Sequence, residues 1–509
     1  MEVRSMDNLL KIDNGQAIDR SLIPHVSYEV FFTTLSDFVR NEGFIVQFFA
    51  YEEGQKKHLL AVVRNRDLYV IGTEVGKSFQ SLTGAVSEKF HMFEREIAEQ
   101  YGITPDGHPW LKMVRYHKNY AGAKDVFGNN YGKENIPGNY PFFSVEGESI
   151  HEVAVGPVHA GIIEPGHFRF QCAGEEVLHL EIQLGYQHRG IEKMLPTLPQ
   201  KRFPIICESI AGDTSIGHGL SMCQAIEGLA GISVDRGAKI IRTTALELER
   251  ICNHIGDLGA LAGDAAFNPP AAYFGRIRGE FLNLLQVLSG NRFGKGLVRP
   301  GGVTHIMREE QRKLIREKLL EVTGEIENIC DLIFSAHTVQ ARFEHTGTVQ
   351  HEMAKDLGLV GYSGRASGIA YDVRNSFPTE CYRELPANEN RVTNGDVNSR
   401  GMVRVEEIMH SLKLINILIE ESENTASEVH MQDQILAPNA FIITLNEGWR
   451  GEISHCILTD KKGKVQRYKI KDPSFHNWTG LAMSLRNQEI SDFPLCNKSF
   501  NLSYCGFDL

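Results

Sequence analysis

Four stretches of this chain repeat apolar residues three and four positions apart over long runs. A helical bundle is the natural way to bury them all. Ile241, Ala245, Leu248, Cys252, Ile255, Gly259 and Ala262 form one stripe, and Phe274, Ile277, Phe281, Leu284 and Leu288 form a second. Ile315, Leu319, Val322, Ile326, Ile329, Ile333 and Ala336 give a third, and Val405, Ile408, Leu412, Ile415 and Ile419 a fourth. At 3.6 residues per turn each set lies along one side of a helix, and packing the stripes together removes them from water. A shorter helix is expected after Ser215.

The flanks read differently. Phe44–Ala50 and His58–Arg64 have the character of strands, while Tyr28–Arg40 has helical spacing. Strands are also expected at Glu152–Gly156, Phe168–Cys172, Phe441–Leu445, Glu452–Leu458 and Lys464–Ile470. A Gly-, Asn-, Lys- and Tyr-rich stretch from Asn119 to Tyr140 reads as a linker. The expected division is residues 1–118, a linker over 119–150, and a large domain over 151–509. A chain of 509 residues, 42% of them hydrophobic, can bury more than one core.

A formal charge of −11 argues against a nucleic-acid surface. The sequence has no run of about 18 apolar residues that would span a membrane, and Met1–Asp7 lacks the apolar core of a signal peptide. Nine cysteines are scattered without a Cys-x-x-Cys, which suits reduced thiols in a cytoplasmic protein.

Several ordered motifs carry a resemblance. Phe90–Glu96 followed by Tyr101–Pro109 resembles the signature of the small accessory subunit of complex I. From Gly156 onward the chain resembles the large subunit shared by complex I and membrane-bound group 4 nickel-iron hydrogenases. The matching segments include Gly156–His159, Glu164–Arg169, Gly185–Lys193 and Arg299–Val303, then Arg365–Arg374, Trp449–Glu452 and Asp472–Phe475. Such a fusion resembles the large subunit of formate hydrogenlyase. The resemblance implies an α+β multidomain fold: an accessory-subunit-like α/β domain, then a hydrogenase large-subunit fold with a central helical bundle and peripheral strands.

Glu208–Thr214 and Asn501–Gly506 resemble the two metal-binding motifs of hydrogenase large subunits. Ala211, Thr214, Ser503 and Gly506 stand where four cysteines would be. A nickel-iron centre needs four soft thiolates, so no metal is expected in this chain. Cys496 and Cys505 lie nine residues apart and do not restore the set.

Glu164 matches the glutamate of the hydrogenase entry loop. A carboxylate there can relay protons; the plain alternative is a helix cap. His159 and His167 flank it, one expected at the pocket and the other in a backbone contact. Asp372 and Arg374 are expected as a charge pair lining the pocket, or else as a structural clamp. Arg450 resembles the arginine over the hydrogenase metal. Its planar fork suits an anionic or carbonyl-bearing substrate, the alternative being a salt bridge to Glu452 or another acid. His188, Arg189, Glu192 and Lys193 are expected at an interface with an iron–sulfur subunit, and Glu94–Glu96 in docking of the N-terminal domain.

The resemblance therefore implies a subunit of a membrane-bound, complex I-like oxidoreductase on the cytoplasmic face of the cell membrane. It would couple electron transfer to ion translocation and would not be an active hydrogenase by itself. Expected partners are a small subunit holding a [4Fe-4S] cluster, a ferredoxin-like polyferredoxin subunit and antiporter-like membrane subunits, with no nucleic acid. A quinone is the candidate substrate. A non-catalytic scaffold and a quinone-reducing subunit of the NADH-quinone oxidoreductase type are the alternatives.

Overall fold

A computed structural model of the chain describes residues 7–122, 126–127, 142–159, 164–389, 392–421, 428–429 and 432–509. The N-terminal part is a helix, α1 (Tyr28–Arg40), packed on an antiparallel sheet of β1 (Phe44–Glu53), β2 (Lys56–Arg64) and β3 (Leu68–Val75). Strand Leu10–Ile12 extends the sheet beyond β3. Ser27 starts α1 by accepting a hydrogen bond from the Val30 amide. Helix α2 (His91–Tyr101) packs against β1 and ends at Gly102, whose φ of +60° closes the left-handed cap.

A second antiparallel sheet joins β4 (Ile150–His159), β5 (Gly166–Ala173) and β6 (Glu176–Gln183), in the order β6-β5-β4. A third joins β7 (Ala440–Gly448), β8 (Gly451–Thr459) and β9 (Val465–Lys471), in the order β9-β8-β7. Strand Ile18–Asp19 adds to the free edge of β7. The chain before residue 118 therefore crosses onto the C-terminal sheet.

The bundle consists of α3 (Ser215–Ala230), α4 (Arg236–Asp264), α5 (Asn268–Ser289), α6 (Glu309–Ser335) and α7 (Val397–Glu420). Helix α4 packs against α5 and α7, and α6 packs against the same two. Gly259 lets α5 approach closely, since an added Cβ would lie 3.0 Å from the Cβ of Phe274. The stripe residues are buried, except that Val405 and Ala336 are only partly so.

One expectation needs correction. A single apolar stripe implies a solvated opposite face, yet α4 is buried nearly all round, including Arg242, Glu247, Glu249, Arg250 and His254. These charges are paired within the core: Arg250 with Glu247 and Glu407, and His254 Nε2 3.0 Å from a Glu407 oxygen. Buried charges persist only when partnered in this way. Among the described residues no helix is long and apolar enough to cross a membrane.

Candidate functional site

Helix α3, the β7–β8 hairpin, helix α8 (Ser474–Ser484) and the C-terminal helix α9 (Tyr504–Asp508) bring the two motifs together. The first motif precedes α3; Ala211 and Thr214 are buried there, while Asp213 is half-buried. The second enters α9, which Ser503 caps by accepting from the Gly506 amide at 2.9 Å. Gly448 pairs with Gly451, so Trp449 and Arg450 form a two-residue turn pointing into the space between the motifs.

Arg450 joins the motifs. Its guanidinium donates to both carboxylate oxygens of Asp213 at 2.7 Å, and its Nε donates to the Asn501 carbonyl at 2.6 Å. Burial alone would raise the pKa of Asp213, but the guanidinium brings it below the usual carboxylate range. The acid paired with Arg450 is thus Asp213 and not Glu452, which pairs with Lys471 and Arg64. Trp449 donates from Nε1 to the Asp213 carbonyl at 3.0 Å and to the Thr214 hydroxyl at 3.1 Å.

The residues present do not fit a nickel-iron centre. None of the four positions carries a thiol. At Gly506 an added Cβ would lie 2.7 Å from the carboxyl carbon and one oxygen of Asp472, so that carboxylate takes the place of the fourth side chain. The same oxygen of Asp472 lies 3.0 Å from His218 Nε2. His218 Nδ1 is 3.1 Å from His455 Nε2, and His455 Nδ1 is 2.9 Å from the Tyr468 hydroxyl. Burial pushes the Asp472 carboxyl up, but the His218 contact and Arg450 leave it below its ordinary value. Burial drives His455 well down, leaving its ring neutral. The Cys505 and Cys496 thiols are each pushed up to about 12 by burial, far from thiolate character. Among the described residues no cluster of three or more histidines, cysteines or carboxylates could hold a metal ion.

The expected site residues separate into groups. Glu164 is half-buried, and one of its oxygens accepts from the Tyr504 and Cys505 amides, both at 2.9 Å. It therefore caps α9, the plainer of its two expected roles, while lying against the second motif. His167 receives a hydrogen bond from Arg169 Nε at 3.2 Å and packs on Phe142. The His159 side chain lies outside the described residues.

Asp372 and Arg374 do pair, at 2.7 Å, and their further contacts are those of a structural clamp, one of the two roles expected for them. Arg374 also reaches Glu247, and Asp372 lies 3.6 Å from Arg365, which binds Glu407 and Glu447. They join the bundle's ion network, adding Arg374 to the Arg250 that already faces Glu247.

The expected interface set divides too. Arg189 is exposed, and its guanidinium donates to carbonyls of both motifs: Ser209, Ile210 at 2.8 Å and Cys505 at 2.9 Å. His188 lies 2.8 Å from the Asp508 carbonyl, stacks on His117 and is lowered to about 4 by burial. Lys193 is exposed. Glu192 needs correction as an interface residue: it is 2% exposed and pairs inward with Arg467 and Lys469. The docking segment is likewise internal. Glu96 bonds Lys469 at 2.6 Å, and Glu94 accepts from Ser81 and the Leu82 amide.

Asp213, Asp472 and His218 were not assigned roles from sequence. Asp213 and Asp472 lie inside the motifs quoted for the resemblance, and His218 follows Thr214 by four residues. Nothing in the sequence pairs Asp472 with residues 254 and 34 positions away.

Residues 264–508 match the family model described as the respiratory-chain NADH dehydrogenase 49 Kd subunit. Formate hydrogenlyase subunit 5 of Escherichia coli (strain K12) is 27% identical over 422 residues, covering 81% of this chain and 74% of that protein. The C/D component of the NADH-quinone oxidoreductase of Bacteroides thetaiotaomicron is 29% identical over 401 residues, 74% of this chain and 75% of the relative. The D component of the NADH-quinone oxidoreductase of Clostridium beijerinckii is 30% identical over 322 residues, 63% and 87% of the respective lengths.

Proposed function

This chain belongs to the family of the complex I 49-kDa subunit and its membrane-bound hydrogenase relatives, and from that premise we propose that it is a metal-free redox subunit. It serves in a complex I-like, energy-converting oxidoreductase. The supporting observation is the state of the two motifs. Their walls are retained and bound together by Arg450 and Arg189, with Glu164 against the second, while no thiol stands at the four positions and Asp472 fills the space beside Gly506.

In this reading the electrons pass through a [4Fe-4S] cluster in a small partner that docks near the exposed Arg189 and Lys193. The substrate is a carbonyl-bearing acceptor of the quinone class. The chain's own task is to hold that substrate and its protons. A guanidinium fixed by Asp213, Thr214 and Asn501 presents its one remaining Nη2 N–H in a set direction, which suits a carbonyl oxygen. Polyferredoxin and antiporter-like membrane subunits complete the assembly on the cytoplasmic face of the membrane.

Purification of the intact complex tests this. Metal analysis is expected to find iron and no stoichiometric nickel; nickel at one per complex overturns the metal-free reading. The second reading, a scaffold without chemistry, is favoured by the number of motif contacts that are purely structural, Glu164 among them. Variants R450K and E164Q separate the two. With assembly intact, a loss of turnover in R450K of about tenfold or more supports a redox role, and full turnover in both supports the scaffold.

A further inference from the structure

Behind the site between the motifs, Asp472 begins a line of buried side chains. His218 stands in the first turn of α3, His455 on β8 and Tyr468 on β9, and with Asp472 each is at most 1% exposed. Contacts of 3.0, 3.1 and 2.9 Å join the four in order, from the Asp472 carboxylate to the Tyr468 hydroxyl. The sheet sets the last of them. His455 lies opposite Ile470, and Tyr468, two positions earlier, is its diagonal neighbour on the same face.

Every ring nitrogen in the line is engaged, so the positions of the protons follow from counting donors. A neutral imidazole has one N–H and one bare acceptor nitrogen, while a carboxylate only accepts. Burial pushes Asp472 up, but the His218 contact and Arg450 keep it below its ordinary value, an anion with no proton to give. His218 Nε2 must then carry the proton that it shares with Asp472. A neutral His218 is left with Nδ1 bare, and only the His455 Nε2–H can meet it. The His455 ring is neutral because burial drives it well down, so its Nδ1 accepts and the Tyr468 hydroxyl donates. All three hydrogen bonds therefore point toward the carboxylate. A His218 proton on Nδ1 would set the bare Nε2 against the Asp472 oxygen, two buried acceptors with no proton between them.

Asp472 is tied to the second motif as well. Its Oδ1 accepts from the Ser474 amide at 2.8 Å, and the Ser474 hydroxyl accepts from the Ser503 amide at 2.9 Å. We propose that His455 and Tyr468 are positioning residues for the site between the motifs: donating in line, they hold the His218 proton on Nε2, aimed at Asp472. The carboxylate then stays beside Gly506, and Arg450 keeps Asp213 as its acid. For its effect on turnover the proposal rests on the redox reading of that site; for the proton positions it rests on the contacts alone.

Variants H455Q and H455L separate this role from packing. A glutamine amide reaches about as far as Nε2 and donates in its place, whereas leucine cannot. Nuclear magnetic resonance of the full chain with 15N-labelled histidine reports where each ring holds its proton, the His218 signals being those lost in H218Q. At neutral pH both rings are expected to be neutral with the proton on Nε2. His218 should keep that state in H455Q and lose it in H455L. Y468F removes only a hydroxyl and should shift the His455 Nδ1 resonance, so it stays informative if H455L does not fold. In the intact complex H455L should lower turnover about tenfold or more, and H455Q should restore most of it. The proposal fails if His218 of the parent chain carries its proton on Nδ1 or on both nitrogens, or if H455L leaves its state unchanged. It also fails if H455Q and H455L lower turnover equally, or if H455L keeps full turnover where R450K does not. Full turnover in both H455L and R450K counts against the redox reading, and the proton positions then decide the proposal.

Discussion

Gly506 shows how much one missing side chain decides. Because it has no Cβ, the Asp472 carboxylate fills the space a side chain at 506 would take and keeps its contact with His218. Restoring cysteine at 506 forces the thiol against that carboxylate, and overpacking of this kind costs about 1–3 kcal/mol. G506C is therefore expected to melt at a lower temperature than the parent chain. A quadruple A211C, T214C, S503C, G506C variant should still bind no stoichiometric nickel by metal analysis, because Asp472 stands in the way. Removing it as well, with D472A, is the change expected to open room. That no cysteine stands at these four positions was legible in the sequence, since each sits within a motif that resembles a hydrogenase one. The replacement was not, because Asp472 and Gly506 meet only through the fold of α8 and α9.

At the scale of elements, α3 begins without a side-chain cap of its own: Thr214 makes none. Glu249 of α4 supplies it from outside, accepting from the Ile216 amide at 2.7 Å and the Gly217 amide at 3.1 Å. Burial raises Glu249 to about 8, above the value of an unfolded-chain glutamate near 4.3. The folded protein then holds a proton that the unfolded chain has released between those two values. This contribution to stability is complete below about pH 4 and is lost as the pH rises through about 8. Chemical denaturation from pH 6 to 8 should show this slope, on the order of 1–3 kcal/mol, and E249Q should flatten it. The helices themselves were legible because their apolar stripes repeat with the helical period. The burial of their polar sides was not, since a stripe says which face is apolar and nothing about what covers the other. That is why the sequence left Asp372 and Arg374 open between a pocket pair and a clamp, while their partners Glu247 and Arg365 are visible only in the fold.

Across the whole molecule, buried ion pairs hold the N-terminal part to the rest. Glu96 meets Lys469, which also meets Glu192, and Arg64 meets Glu452, which also meets Lys471. Burial brings Lys469 down to about 7 against the pull of Glu192. K469M removes the charge that both acids share while leaving Glu192 with Arg467 and Glu96 with Arg115, so the loss is that of charged hydrogen bonds, about 1.5–3 kcal/mol. A denaturation midpoint shifted by that amount, together with faster proteolysis within residues 1–118, is the expected result. Composition and motif order pointed to two parts. How they are sealed was hidden, because the sealing pairs join residues hundreds of positions apart.

Strand Ile18–Asp19 lies along the outer edge of β7, although it comes from the opposite end of the chain. Cutting the polypeptide after residue 118 would thus bare the edge of β7, and an uncovered edge recruits other strands. Produced separately, the larger fragment should be prone to self-association, and supplying the shorter fragment in trans should restore its solubility. On that outcome the N-terminal part shields the β7 edge as well as being tethered to it.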